Sequence, residues 1–335
     1  MRNVLIVLSF LAFFVLQSCE NEVDLLAPWT EKMVVYGLLS PPNPGANLAD
    51  TNWQYFKISR VFSNTGGAYA NASKDSGAYT QNLNVKLERI SGKTILETIS
   101  LIPKTIYTKE PGIFPNKKEV LYVTDKPILK GSEYHLSVTN PQTGAEITAK
   151  TNTIGQFEIA SSFTNEMNVN WYSAIKVQPA WVSCQYGKIY QVSVRFHYAE
   201  KSLHASGFVK KYCDWELTPQ YSNTIKGGEK MSSEPLSAVT FYSQLLKNIQ
   251  AEVGTVRTAG EVEFIFTAGN QEFSDYMDIN KPSNGVVQDK PIYTNIEGGI
   301  GLFASRISYS VKKSLEKQSI DSLRFGKLTK NLGFQ

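Results

Sequence analysis

The stretch Val85-Lys86-Leu87-Glu88-Arg89-Ile90, then Ser91-Gly92-Lys93, then Thr94 to Ile102, decides the fold class. Apolar and charged residues alternate through its first part, as in a half-buried strand. Glycine supplies the tight turn, and the second part carries strand-forming Thr, Ile and Leu. The whole reads as a β-hairpin. The same grammar continues outward. Val120 to Thr124, Tyr134 to Val138 and Glu146 to Thr151 read as strands, separated by Lys130-Gly131 and by Asn140-Pro141-Gln142-Thr143-Gly144. Upstream, Met33 to Leu39 is an apolar run of strand length, closed by Pro41, Pro42, Pro44 and Gly45, and Trp53 to Phe62 is another strand. Short strands with turns every ~8–12 residues predict an antiparallel sandwich.

Gly131 to Val138 with the strand after it resembles the closing hairpin of immunoglobulin-like or carboxypeptidase-regulatory-like domains. The resemblance implies a mainly β chain with an immunoglobulin-like sandwich over residues 31–155, ending near Gly155. Residues 156–335 then form a second β-rich domain. Its expected strands are Phe157 to Phe163, Val169 to Gln178, Ile189 to Tyr198, Ser206 to Leu217 and Glu261 to Thr267. Phe241, Leu245, Leu246 and Ile249 recur at helical spacing and predict a helix over 240–250. Asn270 is placed to cap a second short helix over 270–279. The polar tail from Ser314 to Gln335 reads as a loosely held strand or helix.

Composition narrows the function classes. The chain has 335 residues, 42% hydrophobic and 19% charged, which is a globular balance. A net charge of +4, without a Lys/Arg-rich run, does not point to nucleic acid. Aromatic residues reach 12% and favour strands.

The first residues carry an address. Met1-Arg2-Asn3 is a short basic start, Val4 to Leu16 is apolar, and Leu16-Gln17-Ser18-Cys19 ends the run. The run is shorter than the ~20 residues of a membrane span and matches a secretory signal. Its Leu-x-Ser-Cys ending resembles the bacterial lipobox, which implies a signal peptide over 1–18, a lipidated Cys19 and a tether over 19–30. Two or more acyl chains would anchor the protein stably. Export allows a disulfide between Cys184 and Cys213, with two free buried thiols as the alternative.

A second motif lies late in the chain. Tyr293 to Phe303 places Gly298, Gly299 and Gly301 inside a strand-like run, and glycine there marks a bulge or a close backbone approach. Three features together resemble an uncharacterised family of Bacteroidota outer-membrane lipoproteins, often encoded beside TonB-dependent receptors. They are the Ser18-Cys19 start with Glu20, Glu22 and Asp24 behind it, the Met33-Val34-Val35-Tyr36-Gly37-Leu38 strand, and the Asn295, Glu297, Gly298, Gly299, Gly301 and Phe303 signature. The resemblance implies an outer-membrane location facing the cell surface, and a TonB-dependent receptor as neighbour.

Catalytic and metal patterns are weak. The glycines lack the helix N-terminus and Lys-Ser/Thr pair of a phosphate loop. Glu261 and Glu263 share one strand face, where paired carboxylates could serve glycoside hydrolysis, but two solvated glutamates are the commoner arrangement. Asp275, Asp278 and Asn280 miss calcium-loop spacing. The three histidines have no Cys or His at ligand spacing, so neither metal nor cofactor is expected. The aromatics Tyr69, Tyr79, Tyr107 and Phe114 in the long polar loops are the candidate binding residues, for a glycan, a peptide or a protein partner. The expected role is a non-enzymatic accessory protein that docks to a TonB-dependent transporter or captures its cargo. A surface adhesin or glycan-binding module is the alternative, and an unrecognised hydrolase the third reading.

Overall fold

A computed structural model describes residues 32–42, 53–61, 79, 82–106, 119–172, 176–281 and 291–335. The signal, the tether, Cys19, Tyr69, Tyr107 and Phe114 lie outside the described residues. The described chain is mainly β. Seven strands form its first part: β1 (Lys32–Leu39), β2 (Gln54–Val61), β3 (Asn84–Ser91), β4 (Thr94–Ile106), β5 (Glu119–Thr124), β6 (Glu133–Thr139) and β7 (Glu146–Asn152). They pair in the order β1-β2-β5-β4-β3-β6-β7. In the β3–β4 hairpin Val85 faces Leu101 and Leu87 faces Ile99. Gly92 turns the chain at φ +61, which costs glycine nothing. Where the alternation breaks, at Arg89 and Ile90, the register shifts by a bulge. Buried Val35, Phe56, Leu87, Tyr134, Leu136 and Val138 belong to one sandwich-like core.

The second part holds β8 (Glu158–Ile159), β9 (Asn168–Val169), β10 (Ala180–Val182), β11 (Ile189–Lys201), β12 (Val209–Glu216), β13 (Gln220–Tyr221), β14 (Lys230–Ser232), β15 (Val256–Gly269), β16 (Ile296–Glu297) and β17 (Ile300–Leu315). Four helices accompany them: α1 (Ser161–Thr164), α2 (Ala238–Asn248), α3 (Gln271–Ile279) and α4 (Lys317–Phe325). Strands β12-β11-β15-β17 run antiparallel, and β17 then pairs in parallel with β1 from Val34–Ile300 to Leu39–Ser305. One sheet thus runs through both parts. Strands β14-β10-β8 form a separate small sheet. A second core gathers Trp171, Trp181, Phe196, Phe241, Phe264 and Phe266.

The chain passes from one core to the other between Ala149 and Ile154, close to Gly155, but the exchange is not clean. Ile296 and Phe303 return to the first core, and residues 32–335 form one compact unit. Both helices expected from sequence are present. Ser237 caps α2, and the Asn270 side chain accepts from Phe273 N at the start of α3.

Two expectations need correction. Phe157 to Phe163 and Val169 to Gln178 are not long strands. The first holds the two-residue β8 and most of α1, which swings Phe163 edge-on to Phe264, with ring centroids 5.0 Å apart. Among its described residues, the second contributes only the end of β9 and one isolated bridge at Val177. Nor is the tail loosely held. It forms α4 and a 3-10 turn over Lys330–Leu332, and buries Leu323, Leu332 and Phe334. Backbone bonds from Arg257 N to Gly333 O (2.7 Å) and from Gln335 N to Arg257 O (3.0 Å) hold it to β15. Its sparse apolar residues are enough because all three enter the core.

Candidate binding cleft

The Asn295–Phe303 motif closes the fold. Asn295 Nδ2 donates to Phe303 O (2.7 Å), and Phe303 N donates to Asn295 Oδ1 (2.9 Å), so one side chain imitates a strand partner. Gly301 sits at φ +126 against β1, where a Cβ would lie 1.9 Å from Val35 O. A Cβ on Gly299 would lie 2.8 Å from Met33 O. Close passage of β17 against β1 therefore requires glycine at these positions. Glu297 accepts from Thr148 Oγ1 (3.2 Å) on β7, and Gly298 turns at φ +76 between β16 and β17. Phe303 is buried against Phe56. These contacts make the motif part of the frame that joins β17 to β1 and β7.

A buried polar knot joins the two parts behind it. Asn270 Nδ2 donates to Thr151 Oγ1 (2.7 Å) and Asn152 O (3.0 Å), while Ser305 Oγ donates to Leu39 O (2.9 Å). Ile154 N in turn donates to Ser305 Oγ (3.2 Å).

An open cleft of about 750 Å³ lies between the small sheet and β17. Phe157, Ile159, Trp181 and Tyr309 give it apolar surface, while Glu158, Ser161, Lys230 and Ser310 supply polar groups. The Phe157 and Tyr309 rings stack at 5.3 Å and 2°. Lys130 Nζ donates to Tyr309 Oη (3.2 Å) and to Gln156 Oε1 (3.1 Å). Burial pushes the Tyr309 hydroxyl pKa up and the Lys130 ammonium pKa down. The Trp181 indole N–H is buried without a hydrogen-bond partner. Sequence reasoning does not single out these cleft residues as a set. Their types are ordinary, and only the packing of β8 and β10 over β17 brings them together.

Elsewhere among the described residues, polar side chains pair with one another on the sheet faces and helix ends. On the outer face of the large sheet His197 Nε2 lies 2.8 Å from Glu263 Oε2. Burial raises the Glu263 pKa, but hydrogen bonds from His197 and Ser310 outweigh it and hold the carboxyl below its usual range. The carboxylate thus lies between hydroxyl and imidazole, and no nucleophile–base hydrogen bond forms between Ser310 and His197. Glu261 sits in a bulge, where the β11–β15 register shifts between Phe196 and Tyr198. Arg195 pairs with Asp214 through two bonds of 2.8 Å. Asp278 accepts from Tyr221 (2.8 Å) and Lys281 (2.5 Å), and Asp275 accepts from Gln271 (2.7 Å). Glu272 on α3 went unnoticed in sequence, and its pKa is raised chiefly by burial.

The Cys184–Cys213 disulfide does not form. Both thiols are free and buried. Cys184 Sγ lies 3.5 Å from Tyr190 Oη, whereas Cys213 pairs with Phe196 further along β11. Six residues of strand span roughly 20 Å, far beyond disulfide reach. Tyr79, the described member of the loop aromatics, is half-buried against the first core, with the Arg60 guanidinium 5.9 Å from its ring centre.

No protein-family model and no curated protein matches the chain. Among solved structures, the C-terminal globular domain of an oligosaccharyltransferase from Pyrococcus abyssi is similar at 11% identity, with a TM-score of 0.24. The match covers 68% of this chain and 45% of that one. A likeness at that score supports no argument about function. No helix among the described residues is long and apolar enough to cross a membrane.

Proposed function

We propose that the chain is a lipid-anchored outer-membrane accessory protein that works by binding, docking to a TonB-dependent transporter or capturing its cargo at the cell surface. The cleft beside β17 carries this reading. It pairs apolar walls with a polar rim, the make-up of a ligand-binding cleft. The Leu16-Gln17-Ser18-Cys19 start supports the anchor, and the Asn295–Phe303 signature supports the neighbourhood. Within the cleft, Phe157 and Tyr309 stack on each other, which takes one face of each ring away from a sugar.

Two measurements test the proposal. Radiolabelled palmitate should enter the wild-type chain and not Cys19→Ala. The native lipoprotein, cross-linked in cells and purified, should carry a TonB-dependent transporter. Failure of labelling would remove the anchor, and failure to recover a transporter would remove docking.

A further inference from the structure

The large sheet has a gap beside the cleft. Strand β17 pairs with β15 from Arg306 to Lys313. On its other edge, pairing with β1 ends at Ser305 and pairing with β9 begins at Ser314. Between them the described residues supply no strand. Direction follows from parity. Asn270 N donates to Ser305 O (3.1 Å), so Ser305 turns its backbone toward the β15 side. Ser314 N donates to Met167 O (3.1 Å), so Ser314 turns to the opposite side. Alternation then directs the N–H and C=O groups of Arg306, Ser308, Ser310 and Lys312 out of the open edge. Among the described residues none of these outward groups has a backbone partner. The cleft, which touches Tyr309 and Ser310 on one side and Glu158 and Ile159 on the other, lies where the next strand would run.

We propose that this edge takes an extended, acidic segment of a partner polypeptide as an added strand. This deepens the docking half of the proposed function and rests on it. An unpaired strand edge offers donors and acceptors at every second residue, and a polypeptide backbone matches that repeat. Partner side chains facing the cleft would meet Phe157 and Tyr309. Charge selects the partner. Arg306, Lys312 and Lys230 are exposed, and none joins an ion pair among the described residues. Of the carboxylates beside them, Glu263 lies across from Lys312 but is hydrogen-bonded to His197, so Arg306 and Lys230 carry most of the selection, with Glu158 the acidic residue at the cleft.

The test uses the full mature chain in detergent and a fluorescent ten-residue peptide of alternating glutamate and valine. Strand addition uses only every second peptide amide. N-methylation of one alternate set should weaken binding about tenfold or more, while methylation of the other set leaves it nearly unchanged. Equal effects of the two sets, a lysine-for-glutamate peptide that binds as well, or no binding of the acidic peptide would each overturn the proposal. Ser310→Pro removes an outward N–H and leaves the β15 ladder intact, as proline is tolerated on an open edge. It should fold with a small drop in melting temperature, from the lost Ser310–Glu263 hydrogen bond, and lose the peptide. If it does not fold, the methylation comparison decides alone. Transporter recovered equally by wild type and by folded Ser310→Pro would sink strand addition and leave docking standing. Recovery by neither would sink docking itself.

Discussion

At the residue scale, glycine sites separate conformational need from steric need. Gly92 and Gly301 both have positive φ, but nothing lies within 4 Å of a Cβ at Gly92, while one at Gly301 would strike Val35 O. Gly92→Ala should cost about 1 kcal/mol, the left-handed penalty alone. Gly301→Ala should cost at least about 3 kcal/mol, since β17 would have to leave β1. Urea midpoints of the two variants measure the difference. The thiols give a second check. Burial, with Asp214 nearby, pushes Cys213 up to about 12, and burial raises Cys184 as well. Neither should react with maleimide at pH 8 in the folded chain, and both should react in denaturant.

At the element scale, β11, β12 and β15 share an ionic centre. Glu200 is buried between Arg257 and Lys211, with Arg257 Nε donating to Glu200 Oε2 (2.8 Å). Arg257 also donates to Gln250 O (2.9 Å) and to Leu332 O. Burial raises the Glu200 pKa, but hydrogen bonds from Lys211 and Arg257 outweigh it and leave the pKa lowered. A lowered carboxyl pKa adds stability that is present above the unfolded glutamate value and is lost as pH falls through the folded one. Glu200→Gln should cost about 3–5 kcal/mol near pH 7, because it strands a buried guanidinium. The difference from wild type should shrink below about pH 4.5, the ordinary glutamate range, in denaturation curves taken across pH.

At the scale of the whole molecule, the two cores share β17 and the Asn270 knot. Thermal unfolding of the wild-type chain should therefore follow one transition by calorimetry. Asn270→Ala removes the α3 cap and the bonds to Thr151 and Asn152. It should separate the melt into two transitions, whereas Ser237→Ala, which removes only the α2 cap, should lower a single transition by a few degrees, from a loss of about 1 kcal/mol. A single unchanged melt for Asn270→Ala would show that strand pairing alone couples the parts.

Local chemistry was legible in the chain. The β3–β4 hairpin, the α2 spacing, the Asn270 cap and the glycines at 298–301 follow from period, turn preference and backbone freedom, all carried by neighbouring residues. The proposed export address rests on neighbouring residues in the same sense. Tertiary structure decided the rest. No pattern in Met33–Leu39 says that its partner lies at Ile300–Ser305, because loop closure over so long a separation is repaid only by non-local burial. Phe157 and Phe163 look like strand residues until the second core claims both rings. The tail looks polar until Leu323, Leu332 and Phe334 enter that core. The cleft and the open edge of β17 exist only because β1 stops at Leu39 and β9 starts at Asn168, so the surface proposed to bind a partner is a property of the assembled sheet.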